Sequence, residues 1–134
     1  LRVTYVGELG WELHVPVADL GAVYDRLMAT GADLRPVGYR ALDSLRLEKG
    51  YRAWSSDITP NDTPLEAGLG WAVKLNSGRD FIGRAALGTD APLVKRFALF
   101  TLADPAAVLS GRETILRDGV AVGYLTSGGW GYTL

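Results

Sequence analysis

Gly38-Tyr39-Arg40-Ala41-Leu42-Asp43-Ser44-Leu45-Arg46-Leu47-Glu48-Lys49-Gly50 runs directly into Tyr51-Arg52-Ala53-Trp54-Ser55-Ser56-Asp57-Ile58-Thr59-Pro60-Asn61-Asp62-Thr63-Pro64-Leu65-Glu66, and the reading of this stretch decides the fold. Its first half has a helical period. Leu42 and Leu45 stand three apart, Ala41, Leu45 and Glu48 recur at four and three, and Gly50 sits where a C-terminal cap belongs. The second half is a polar loop. Asp57, Pro60, Asn61 and Asp62 favour turns because they fix φ or bond back to their own backbone. At its end Thr63 suits an N-cap, Pro64 the first helical position, and Glu66 the closing carboxylate of a capping box. A long polar loop between two well-capped helix ends is a place to build a site.

Outward from this stretch, Arg2–Tyr5 and Trp11–Val15 flank Gly7-Glu8-Leu9-Gly10, which predicts a β-hairpin. Trp11, Leu13 and Val15 face one way; Glu12 and His14 face the other. The period changes to helical over 19–30, where Leu20, Val23, Tyr24, Leu27 and Met28 form a core stripe between a capping Asp19 and a terminating Gly31. Beyond the central stretch, alternation predicts a strand over 69–75, then a short helix ending at Leu87 and a linker over 89–92. A further strand is expected from Lys95 to Leu102. Thr114–Arg117 and Val120–Thr126 form a second hairpin around Asp118-Gly119. The pattern predicts an α+β fold with helices packed on one face of an antiparallel sheet.

Composition narrows the function classes. In 134 residues, 48% are hydrophobic and 22% charged, in the range of a globular domain, and the net charge of −1 gives no reason to expect a nucleic-acid or membrane partner. The absence of cysteine excludes a disulfide frame, thiolate catalysis and a zinc–thiolate site. No metal-ligand spacing occurs, and the single histidine assembles no catalytic triad. No signal peptide or apolar span is recognisable, so the expected compartment is cytoplasmic. The only methionine is Met28, and Leu1–Tyr5 opens as a strand already under way. The expectation is a fragment of a larger protein.

Several motifs together resemble the glycine-cleavage T-protein (aminomethyltransferase) family. Asp43-Ser44-Leu45-Arg46-Leu47-Glu48-Lys49-Gly50, Trp54, Asp57-Ile58 and Thr63-Pro64-Leu65-Glu66 fall into its frame of R-D-S-L-R-L-E-x-G, an aromatic, D-I and T-P-x-E. Tyr5-Val6-Gly7-Glu8-Leu9-Gly10-Trp11-Glu12-Leu13 matches its Y-T-G-E-x-G motif. Leu47-Glu48-Lys49-Gly50-Tyr51-Arg52-Ala53-Trp54 with Val73-Lys74-Leu75-Asn76 is more similar to one branch, the folate-binding C-terminal half of sarcosine and dimethylglycine dehydrogenases. The resemblance implies residues 1–90 as a folate-binding segment with a ferredoxin-like part, and 91–134 as the start of an incomplete C-terminal β-barrel.

It also implies site residues. The family tyrosine and second glutamate fall on Tyr5 and Glu12, where the carboxylate would accept paired N–H bonds from a 2-aminopterin ring. By itself, a glutamate on the outward face of a strand is a solvated surface residue; the match in register at both positions turns the reading towards a ligand contact. Trp54 suits either stacking on a flat ligand or plugging its loop onto the core. Asp57 reads as an organiser of its own loop. His14 reads as surface or packing. Leu42 stands where aminomethyltransferases proper carry an arginine, and Arg46 is expected to pair with Asp43 or Glu48 or to span an interface.

The implied function is the tetrahydrofolate-binding portion of a demethylating dehydrogenase that captures a one-carbon unit as 5,10-methylenetetrahydrofolate. The resemblance places FAD in a separate upstream domain and makes an N-methyl amine the substrate. It leaves no catalytic residue in this chain, since the family's acid–base aspartate lies further upstream, so the isolated segment is expected to be inactive. A glycine-cleavage aminomethyltransferase and a folate-dependent demethylase remain as alternatives. A non-catalytic folate-binding protein of iron–sulfur repair fits less well, because Lys49-Gly50 is followed by Tyr51-Arg52-Ala53-Trp54 without that group's cysteine.

Overall fold

Two α-helices and one antiparallel pair of strands make up the regular structure of the computed structural model, which describes residues 1–87 and 92–134. Helix α1 spans Leu20–Met28 and α2 Tyr39–Glu48; strand β1 spans Thr114–Arg117 and β2 Val120–Tyr124. The chain is α+β. It divides into two units, Leu1–Tyr51 with Gly129–Leu134, and Arg52–Gly128. Of the expected linker over 89–92, residues 89–91 lie outside the described residues.

In the first unit, α2 begins where the periodicity places it. Gly38 is extended, and its carbonyl accepts the Ala41 and Leu42 amides at 3.1 and 3.2 Å. The helix ends in a Schellman motif: the Tyr51 amide donates to Arg46 O at 2.9 Å, the Gly50 amide donates to Leu47 O at 2.9 Å, and Gly50 takes φ +66°. The Arg46 side chain is buried, with Nε 2.7 Å from Asp43 Oδ1 and Nη1 3.2 Å from Tyr51 O. The expected Arg46–Asp43 pair therefore forms, with the arginine inside. At the far end of the chain, Ser44 Oγ donates to Trp130 O at 2.7 Å. Glu48 accepts the Tyr132 and Thr133 amides and the Thr133 hydroxyl. The Thr133 hydroxyl and amide hold the Glu48 carboxyl below the usual carboxylate range.

Helix α1 forms without its expected cap. Asp19 makes no capping bond, because a 3₁₀ turn over Val17–Asp19 puts its backbone in helical geometry instead. Of the apolar stripe only Val23 is half-buried; Tyr24 and Met28, expected in the core, are exposed, since α1 approaches no named element except that preceding turn. The N-terminal hairpin also departs from expectation. Leu1 and Glu12 exchange N–H···O bonds at 2.9 Å in both directions, yet no ladder continues inward. Val6 N–H turns to its neighbour's hydroxyl, Thr4 Oγ1, and Gly7 takes φ +78°. A side-chain acceptor two residues away competes with the cross-strand carbonyl, and an isolated two-stranded ribbon is too weakly stable to resist it.

In the second unit, the capping box forms as expected. Thr63 N–H and Oγ1 both reach Glu66 Oε2, at 3.0 and 2.9 Å, while Glu66 N–H returns to Thr63 Oγ1. These contacts hold the Glu66 carboxyl below the usual range. The helix they begin is a single turn, closed at once by Gly68 at φ +69° and by Leu69 N–H to Pro64 O. The strand expected over 69–75 is replaced by 3₁₀ turns at Gly70–Ala72 and Leu75–Ser77, and the short helix ending at Leu87 is a 3₁₀ turn from Ala85. Alternation over 95–102 yields no strand either. Its one cross-chain bond among those of the described backbone is Phe97 N–H to Glu66 O. Alternating apolar residues specify a strand only when a neighbouring backbone completes the ladder.

The second hairpin forms around the expected turn, with its second strand ending at Tyr124 and not at Thr126. Asp118 and Gly119 take φ +52° and +78° and join β1 to β2 by a two-residue turn of the mirror-image type. A bulge between Ile115 and Leu116 shifts the register. Paired bonds between Arg112, Glu113 and Leu125 extend the contact past β2.

Asp62 is a half-buried carboxyl with a charged partner. Lys95 Nζ lies 2.7 Å from its Oδ1, and Thr59 donates to Oδ2 through amide and hydroxyl. The lysine bond first, then those from Thr59, hold its pKa down to about 2. A depressed carboxylate contributes stability that is complete above its unfolded pKa and lost as pH falls through the folded one. We therefore expect this contribution to disappear between about pH 4 and pH 2. A carboxyl-carbon NMR titration of Asp62 checks it; a midpoint near 4 would show that the lysine bond does not persist in solution.

Candidate functional site

The end of α2 positions the first group of candidate residues. Because Gly50 reverses the chain through positive φ, Tyr51 leaves the helix beside the turn that carries Tyr5 to Glu8. The Tyr5 and Tyr51 rings stack, with centroids 6.2 Å apart and planes inclined by 23°. A Cβ on Gly7 would lie 2.0 Å from the Lys49 side chain, so this glycine is required by φ and by close approach alike. Lys49 Nζ reaches Glu8 Oε1 at 3.6 Å. Two stretches more than forty residues apart in sequence thus form one aromatic and charged surface.

Glu12 sits on the run that follows, its backbone held by the reciprocal bonds to Leu1. Its carboxylate is exposed, 3.6 Å from His14 Nε2. An exposed, oriented carboxylate can accept from the paired N–H donors of a flat heterocycle. The motifs assign no site role to Tyr51. Its signal lay in the aromatic directly after Gly50, which the helix cap was bound to throw back alongside the helix end.

Trp54 belongs to the second unit. Its indole is 66% exposed, so it does not plug its loop onto a core. The loop is tight: Ser55 takes φ +70°, its amide donates to Ile58 O at 2.8 Å, and Trp54 pairs with Ile58 in an isolated bridge. Arg52 supports its base, donating to Ala67 O at 2.9 Å and lying 4.8 Å from the centroid of the Phe97 ring. Elsewhere in this unit, Val73, Lys74, Ser77, Arg79, Asp80 and Phe81 help line an open hollow of about 750 Å³ that includes none of the expected residues. Among the described residues, no group of acidic or histidine side chains is arranged to hold a metal, and no helix is long and apolar enough to cross a membrane.

Comparison with known proteins gives the family of the chain. The family described as the GCVT N-terminal domain matches residues 1–77, and that described as the glycine cleavage T-protein C-terminal barrel domain matches 95–134. The chain belongs to the glycine cleavage T-protein family. It is 46% identical to human mitochondrial sarcosine dehydrogenase and 41% identical to mouse mitochondrial dimethylglycine dehydrogenase, in each case over its whole length, but it covers only 15% and 16% of those proteins. It is 40% identical to an aminomethyltransferase of Cupriavidus necator, with 95% of the chain and 33% of that enzyme aligned. Among solved structures, glycine cleavage system aminomethyltransferase T from Bartonella henselae matches with a TM-score of 0.72 and 29% identity. The match covers 98% of this chain and 37% of that one. These relatives are enzymes, and this T-protein family chain corresponds to a part of each.

Proposed function

We propose that this T-protein family chain is the tetrahydrofolate-binding portion of a sarcosine/dimethylglycine dehydrogenase-like enzyme, in which a one-carbon unit is captured as 5,10-methylenetetrahydrofolate. The observation that carries the reading is the Tyr5–Tyr51 stack at the end of α2, in a segment whose following run presents the Glu12 carboxylate. A pterin is flat and carries adjacent N–H donors, and these residues supply an aromatic face and a two-oxygen acceptor. Tetrahydrofolate supplies the nitrogens that take up the one-carbon unit. Tyr5 and Glu12 orient its ring, a task of fixing geometry and excluding water, and Trp54 is a further folate-binding residue through its exposed aromatic face.

Residues 1–90 serve as the folate-binding segment and 91–134 as the beginning of the barrel domain. FAD and the oxidation of an N-methyl amine belong to an upstream domain, and without it the chain is inactive. Leu42, half-buried on α2 in place of the arginine of aminomethyltransferases proper, favours the dehydrogenase branch over glycine cleavage itself.

Calorimetric titration with a reduced folate tests the reading. Glu12→Ala is expected to weaken binding by at least roughly tenfold, the loss of about one charge-assisted hydrogen bond, with its far-UV spectrum unchanged. Silence from the folded wild-type chain, repeated in a longer protein that restores the upstream domain, would rule the folate role out.

A further inference from the structure

Asp57 is 8% exposed, one of only two charged side chains classed as buried among the described residues. Its two oxygens are divided between two parts of the chain. Oδ2 accepts the Ala53 amide at 2.8 Å, across the base of the Trp54 loop. Oδ1 accepts the hydroxyls of Thr126 and Ser127, the latter at 2.7 Å, from the segment just past β2. The Asp57 amide also donates to Ala53 O at 2.9 Å. One carboxylate therefore closes the loop locally and ties it to residues about seventy positions away. Those two residues fall in the segment matched by the barrel-domain family, and Asp57 in the segment matched by the N-terminal one.

The other bonds of the Trp54 loop named above are internal to it, whereas those from Asp57 to Thr126 and Ser127 reach outside it. Its tip is exposed, Ser55 is in the left-handed region, and the indole is not packed into a core. An exposed ring contributes to ligand binding in proportion to how far its position is settled beforehand. We propose that Asp57 is a positioning residue: by strapping the Trp54 loop to Thr126 and Ser127, it sets the aromatic face that Trp54 offers to the flat ring of a reduced folate. The ligand part rests on the folate reading above; the strap does not.

The remote arm can be cut without touching Asp57 or Trp54. In the double variant Thr126→Val with Ser127→Ala, amide hydrogen exchange is expected to accelerate at least tenfold at Ser55, Asp57 and Ile58 and to stay unchanged at Thr63 and Glu66. Asp57→Ala should loosen the same amides further. Asp57→Asn should largely restore them, because its oxygen can accept from Ala53 while its amide donates to hydroxyls that are able to accept.

Affinity for a reduced folate is then measured for the double variant with and without Trp54→Ala. A positioning role predicts a roughly tenfold loss in the first case and no further loss in the second, a non-additivity that general destabilisation does not produce. Unchanged exchange at 55–58 would overturn the strap. Faster exchange with unaltered affinity, or fully additive losses, would overturn the positioning role. If the wild-type protein binds no folate even with its upstream domain, the ligand clause falls together with the folate reading, and the exchange data decide the strap alone.

Discussion

Gly128→Ala is expected to lower stability by about 3 kcal/mol, at the upper end of the range for overpacking, and the melting temperature by roughly 10 °C. A Cβ at this position would lie 2.3 Å from Leu109 O and 2.6 Å from Leu109 C. Both are backbone atoms in the run that leads to Gly111, which itself packs with φ +109° beneath Thr126 O. Neither side can yield by a rotamer change, so relief requires displacing the crossing of 109–111 past 126–128. That displacement would also disturb the neighbouring Ser127 hydroxyl on Asp57. Gly21→Ala is the control. It faces open space on α1, and its effect should be a small gain from helix propensity. Thermal unfolding followed by circular dichroism compares the two, and a loss below about 1 kcal/mol at Gly128 would show that the crossing is loose in solution.

Arg46→Ala is the second large loss, about 3 kcal/mol by urea unfolding. Arg46 is only 4% exposed, and its bonds to Asp43 and to Tyr51 O run along the end of α2. Asp43 is mostly in water and will rehydrate once its partner is gone, so the ion pair itself accounts for little of the cost. The larger part comes from the cavity left by a long side chain and from the Tyr51 carbonyl losing a charged donor. Arg46→Lys should recover less than half, since an ammonium on a straighter stem cannot address Asp43 and the carbonyl together. Because Tyr51 carries the ring that stacks on Tyr5, both variants should also alter the near-ultraviolet tyrosine signal. An Arg46→Ala protein as stable as the wild type would mean that the end of α2 is held by its glycine cap and by the Ser44 and Glu48 contacts without the arginine.

The elements that were legible in the sequence are those whose information is local. Asp118-Gly119 specifies its turn by φ, Gly50 ends α2 by φ, and Thr63 and Glu66 satisfy each other three residues apart. Tyr5, Glu12 and Trp54 could be named as candidates from motif register alone. The strands expected over 2–5, 69–75 and 95–102 were not determined in this way. An alternating pattern says which face is apolar and leaves open which backbone will complete the ladder. The tertiary structure alone decided that Tyr51 stacks on Tyr5, that Arg46 is buried, and that Asp57 reaches Thr126 and Ser127. The stack and the Asp57 contacts join residues with no regular spacing in the chain, and the burial of Arg46 depends on what packs around its local partners. Their energy comes from desolvation and contact, which exist only once the intervening loops have closed.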